Sequence, residues 1–174
     1  AGNSIFSNFR FYGDVGAGIE YDIFKYQDSY EKQVIFAYHV GGRYNDYYDT
    51  TIFGKKEELV GWHKFIVGAA TNKEWGRFST TLTYRNYLHD FNLNSLSIRL
   101  NLNVRLFKGF TWRVNGGFSI NRNQINISGE GATPEEVLLQ QQQLQSGYNY
   151  WGSSGIGYNF GSIYNTVVNP RFEF

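Results

Sequence analysis

The 174-residue chain has no cysteine, no methionine and only two prolines, and no apolar run in it approaches the roughly 18 residues of a membrane-spanning helix. Without cysteine there are no disulfides and no thiolate metal sites, although this does not fix a compartment. A net charge of +1 gives the chain as a whole no electrostatic case for binding nucleic acid. No group of residues has metal-ligand spacing, and no G-x-S-x-G nucleophile context occurs. Gly109, Gly116 and Gly117 do not build a phosphate-binding loop before a helix. No signal peptide is expected within the sequence, because Ala1-Gly2-Asn3 is not followed by a basic and then an apolar segment.

What is abundant points elsewhere. Aromatics make up 19% of the chain, with 14 Tyr and 15 Phe, beside 20 Gly. The mean hydropathy is −0.44, which suits strands that are polar on every second residue. In residues 95 to 106, Leu96, Ile98, Leu100, Leu102, Val104 and Leu106 alternate with Ser95, Ser97, Arg99, Asn101, Asn103 and Arg105. That is a long strand with one apolar and one polar face. Repetition of the pattern at about ten-residue length, broken by turn residues, predicts an all-β, antiparallel transmembrane β-barrel whose outer surface meets lipid.

Seven strands are predicted, over 8–25, 32–44, 58–71, 76–89, 95–106, 109–121 and 146–160. The first has Phe9, Phe11, Val15, Ala17, Ile19, Tyr21 and Ile23 outward, and Arg10, Asp14, Glu20 and Asp22 inward. In the third, Leu59, Phe65 and Val67 compete with Val60, Trp62 and Ile66, leaving its facing open. Connections 25–31, 71–75 and 108–109 are short, whereas 45–57, 89–94 and 122–145 are mostly longer. Outer-membrane barrels put short turns in the periplasm and long loops outside. The first strand then starts outside and the seventh ends inside, an odd count where single-chain bacterial barrels have an even one. Either residues 162–174 supply an eighth strand, against which Asn169-Pro170 argues, or further strands complete the barrel and 161–174 is a periplasmic tail. The second is the expectation adopted, with 1–160 forming barrel strands and loops. In the longest loop, Thr133-Pro134-Glu135-Glu136 is a capping box with proline at the first helical position. It fits a short helix over the barrel mouth as well as extended strand ends.

The chemistry-bearing residues are sparse. Arg77, Arg85, Arg99, Arg105 and Arg113 share the inward faces of the fourth to sixth strands and are the candidate lumen lining. They either attract anionic solutes or pair with Asp14, Glu20 and Asp22 across the interior. His39, His63 and His89 invite a catalytic reading, but His89 and Asp90, being adjacent, project to opposite sides of a strand. No catalytic residue, cofactor or metal ligand is assigned. Tyr44-Asn45-Asp46-Tyr47-Tyr48-Asp49 is expected to form a Tyr-rich, acidic outer loop.

Four phrases carry a resemblance: Arg43-Tyr44-Asn45-Asp46-Tyr47-Tyr48, Tyr87-Leu88-His89-Asp90-Phe91, Arg105-Leu106-Phe107-Lys108-Gly109-Phe110, and the stretch from Tyr158-Asn159-Phe160 to Asn169-Pro170-Arg171-Phe172. Together they resemble the carboxy-terminal half of an uncharacterised family of Gram-negative outer-membrane β-barrel proteins, similar in pattern to the salt-induced outer-membrane proteins. The resemblance implies a barrel of about twelve strands, some of them preceding the region matched here, and transfers no site residues. Glu74 before Trp75-Gly76 and the terminal Glu173-Phe174 depart from the family pattern. The function expected is a non-enzymatic small-solute pore, or a scaffold or subunit of an outer-membrane complex, with lipid and other outer-membrane proteins as partners. A soluble lipocalin-like barrel binding an apolar ligand shows the same alternation with its faces reversed. An outer-membrane hydrolase would need His39 or His89 beside a Ser or Asp.

Overall fold

A computed structural model describes residues 1–129, 131, 133–139 and 147–159. Its strands are β1 (Gly2–Ser4), β2 (Phe9–Asp22), β3 (Lys32–Tyr47), β4 (Glu57–Lys73), β5 (Gly76–Tyr87), β6 (Asp90–Phe107), β7 (Phe110–Asn121) and β8 (Tyr148–Tyr158). They form one eight-stranded antiparallel meander in which each strand pairs with its neighbours in the chain. Among the described residues the sheet is open, with β1 and β8 as its edges. The seven predicted strands are all present; β1, three residues long, is too short for periodicity to reveal. The proposed tail and the alternative eighth strand at 162–174 lie outside the described residues.

The register assigns the faces. Leu82 pairs with Ile98, which pairs with Phe118, which pairs with Tyr150, and this row is apolar throughout. One residue along, Thr81, Arg99 and Gly117 form the corresponding polar-side row. In β4 the open question resolves: Leu59, Phe65 and Val67 lie opposite Tyr44, Tyr38 and Phe36 on the apolar face, so Val60, Trp62 and Ile66 project from the polar one. Trp62 can do so because its ring buries while its N–H finds an acceptor.

Three expectations are corrected. The pairing of β2 with β3 slips between Phe9 and Phe11; this irregularity buries Phe9 against Tyr12 and Tyr47, while Arg10 pairs outside with Asp46 at 2.6 Å. Phe9 is therefore not outward, nor Arg10 inward. Residues 89–94 are not a loop: β5 and β6 are joined by Leu88-His89 alone, which weakens the alternation of connection lengths. Asn45 and Tyr47 are strand residues with no exposed surface rather than loop residues, leaving 48–56 as the connection.

Other turns match their sequence signals. Lys108-Gly109 joins β6 to β7 with Gly109 at a positive φ of 80°. The capping box forms as written: the backbone N–H of Thr133 donates to Glu136 at 2.7 Å, that of Glu136 donates back to the Thr133 hydroxyl at 3.3 Å, and 134–139 is helical. At the short-turn end, Lys73 donates to Glu31 at 2.6 Å and holds its carboxyl below the usual range.

A lowered carboxyl pKa means that the pair's contribution is present at neutral pH and lost as pH falls through the folded-state value. In a carbon-detected NMR titration, Glu31 is expected to titrate below the usual glutamate range, and Lys73→Gln to move its midpoint back up. An unshifted Glu31 would show the ion pair to be absent in solution.

Candidate functional site

The polar face is the inside of the curl. In a flat sheet β2 and β5 would lie about 14 Å apart, three spacings of about 4.8 Å, yet Arg85 on β5 reaches Asp14 on β2 at 3.5 Å. Between them, Trp62 on β4 donates its indole N–H to Asp14 at 2.9 Å. The Arg85 guanidinium lies 4.6 Å from the Trp62 ring centre and 5.8 Å from that of Tyr87. The Trp62 ring crosses two strands because Gly41 and Gly16 leave it room; a Cβ on Gly41 would stand 2.6 Å from a ring carbon.

Around this core the mouth end of the face is filled. Arg43 sits over the rings of Phe9 and Tyr12, at 4.9 and 4.6 Å, and donates to Asn45 at 2.7 Å. Tyr47 donates its hydroxyl to Glu58. Ile125, from the segment after β7, packs on Val60, Trp62 and Tyr87. The same segment crosses to the far side of the sheet: Ile52 N–H donates to the Ile127 carbonyl at 2.9 Å, the Ser128 hydroxyl donates to Asp49 at 3.2 Å, and the Asn126 amide donates to the Ser7 carbonyl at 3.0 Å. Ser7 and β7 would be about 24 Å apart in a flat sheet, so the strap can form only on a strongly curled one.

The five arginines divide. Arg85 is part of the mouth cluster, paired with Asp14 as the cross-interior alternative expected. Arg77, Arg99, Arg105 and Arg113 lie exposed on the same face toward the short-turn end. Among the described residues, Arg99, Arg105 and Arg113 make no ion pair. Of the other two expected acids, Asp22 accepts from the Phe24 N–H and from Gln33.

The histidines are not brought together. His39 lies on the polar face against Gly18. His63 is on the apolar face among Tyr38, Tyr84 and Phe91, and His89 packs on Tyr87 in the β5–β6 turn. Among the described residues neither His39 nor His89 hydrogen-bonds to a Ser or Asp, the arrangement a hydrolase would need. Sequence reading missed the roles of Trp62, Arg43 and Asn45. Trp62 stands in a strand whose facing the sequence left open, and its reach depends on two glycines from other strands.

Trp62→Phe replaces the buried indole by a smaller ring and removes the donor to Asp14, and is expected to cost about 1–3 kcal/mol. Gly41→Ala, which pushes the whole ring away, is expected to cost about 1–3 kcal/mol. Urea midpoints followed by tryptophan fluorescence check both; equal stability of Gly41→Ala and the parent would show that the ring does not rest on Gly41. No protein-family model, curated protein or solved structure matches the chain, so what this face does has to be argued from its own geometry.

Proposed function

We propose that the chain forms part of the wall of a bacterial outer-membrane β-barrel, a member of the family it resembles, and acts without catalysis as a small-solute pore with an arginine-lined interior. The observation that carries the proposal is the direction of the curl: the polar face is the concave one and the apolar face is the exposed convex one. Val15 and Ile19 are each 76% exposed on that face and Tyr150 75%. The apolar surface runs across seven long strands, about 30 Å of sheet, far beyond the few hundred Å² that a water-soluble monomer leaves uncovered. In water this face would have no favourable neighbour; in a bilayer it has one.

Strand length and aromatic placement support the same reading. The seven long strands run from 11 to 18 residues, at or above the 9–11 or so that a tilted membrane strand needs. On β6 to β8 the exposed rings stand toward the strand ends, with Phe107, Phe110, Trp112 and Tyr158 at one and Phe91, Phe118, Tyr148 and Tyr150 at the other. Leu100, Leu102 and Val114 lie between them. That is the pattern of interfacial aromatic girdles. A lipocalin-like barrel would enclose the face that is exposed here.

The edge strands β1 and β8 run in opposite directions in the meander. Antiparallel closure through further strands therefore takes an even number of them, in keeping with the barrel of about twelve that the resemblance implies. The orientation proposed has the β3–β4 and β7–β8 connections extracellular and the short turns periplasmic.

A second role, as scaffold or subunit of an outer-membrane complex, is favoured by the filled mouth, where Ile125 and the strap occupy the inside of the curl. Planar-bilayer recording on the detergent-purified native protein separates the two. A steady anion-selective current that weakens in Arg99→Gln/Arg105→Gln is expected of the pore. Silence from folded, inserted protein would remove the pore and leave the scaffold.

A further inference from the structure

We propose that the polar face of β5 to β8 holds a site for small, multiply charged oxyanions, built on Arg105 and Arg113. The inference rests on the reading of this face as a water-filled interior and names the class of solute it favours.

Register brings these side chains together. Asn103 on β6 lies opposite Arg77 on β5 and Arg113 on β7, and Arg105 lies opposite Thr111. Arg105 is thus a diagonal neighbour of both Arg77 and Arg113, at about 7–8 Å between backbones. Arg99 stands on the same face six residues away along β6, about 20 Å from Arg105, with Thr81 and Gly117 beside it.

The charge around them is one-sided. From Gly76 to Asn121 and from 147 to 159 the one carboxylate is Asp90, at the opposite, mouth end of β6, while Glu74 stands in the adjoining β4–β5 turn. Asp14, Glu20 and Asp22 are all on β2, and Asp14 is already paired with Arg85. Like charges at this spacing repel, and an anion bridging two of them turns the repulsion into attraction.

Space and donors favour an oxyanion. Gly155 lies opposite Arg113, and a Cβ there would meet nothing within 4 Å, so β8 leaves the space beside that guanidinium open. Asn101 and Asn115 lie opposite one another and donate to Ser79 and Ser153. The Trp151 ring covers Gly117, next to Arg99. Guanidinium forks match phosphate and carboxylate oxygens in pairs, and forks 7–8 Å apart at the backbone suit an ion with two charged groups better than one with a single charge. Because the arginines are on the polar face, the ligand is a solute in water rather than a lipid headgroup on the apolar side.

Calorimetry on the full chain, refolded in detergent at low ionic strength, tests this with pyrophosphate as the probe and chloride as competitor. Pyrophosphate is expected to bind, and Arg105→Gln/Arg113→Gln to weaken it by about tenfold or more. Lys25→Gln/Lys108→Gln removes the same charge from nearby turns and is expected to change affinity far less. Far-UV circular dichroism confirms folding of each variant. Absence of binding by folded parent protein overturns the site, as does equal weakening by the lysine pair, which would reduce it to general electrostatics. A silent bilayer with binding intact would refute the pore alone; conductance without binding would refute the site alone.

Discussion

Backbone hydrogen bonding fixes each strand against its neighbours, and since side chains alternate along a strand, the register commits every residue to one of two faces. The two faces here want different surroundings. One carries Val15, Ile19, Leu82, Ile98 and Ile156; the other carries Asp14, Arg85, Asn101 and Arg113. Slipping any strand by one residue would exchange them, which is why the ladder runs through Arg43, Val60, Ile98 and Val114 with few irregularities.

Curvature follows from what the polar face does at its mouth end. Asp14 is held from two other strands, by Trp62 and by Arg85, and those contacts draw β2 toward β5. Removing one partner would leave partly buried charge without compensation, a larger loss than the net value of any single bond. Asn45, fully buried on the same face as this cluster, adds to its polar character. Asn86 donates to the Phe91 carbonyl at 2.9 Å, tying β5 to β6 around their tight turn.

Much of this was legible in the sequence because period-two alternation is a strong signal in long strands. The faces of β6 and β7 could be read residue by residue, from Ser95 to Asn121. Reading failed where a local event broke the period: at Phe9 and Arg10, where the register slips, and at His89 to Asn94, where polar residues that look like a loop continue a strand. It stayed open in β4, since Trp62 and Phe65 are both large and aromatic and only partners on other strands decide which is inside. The arginines were identifiable as a set; their division between a paired Arg85 and an exposed remainder was not, because it depends on Asp14 lying within reach three strands away. Phrases from the resemblance fall in the buried cluster, Arg43 with Asn45 and Tyr47 from one and Tyr87 from another.

The meander also sets an order of assembly. Every strand pair is between chain neighbours, and β4–β5, β5–β6 and β6–β7 are joined by two-residue turns, so the sheet can grow hairpin by hairpin with little loop entropy to overcome. The strap from Asn126 to Ser7 is different: it joins residues 119 positions apart and has no geometry until the intervening strands have paired and curled. It is therefore a latch that closes last, and its closure reports that the whole arc behind it has reached its final curvature.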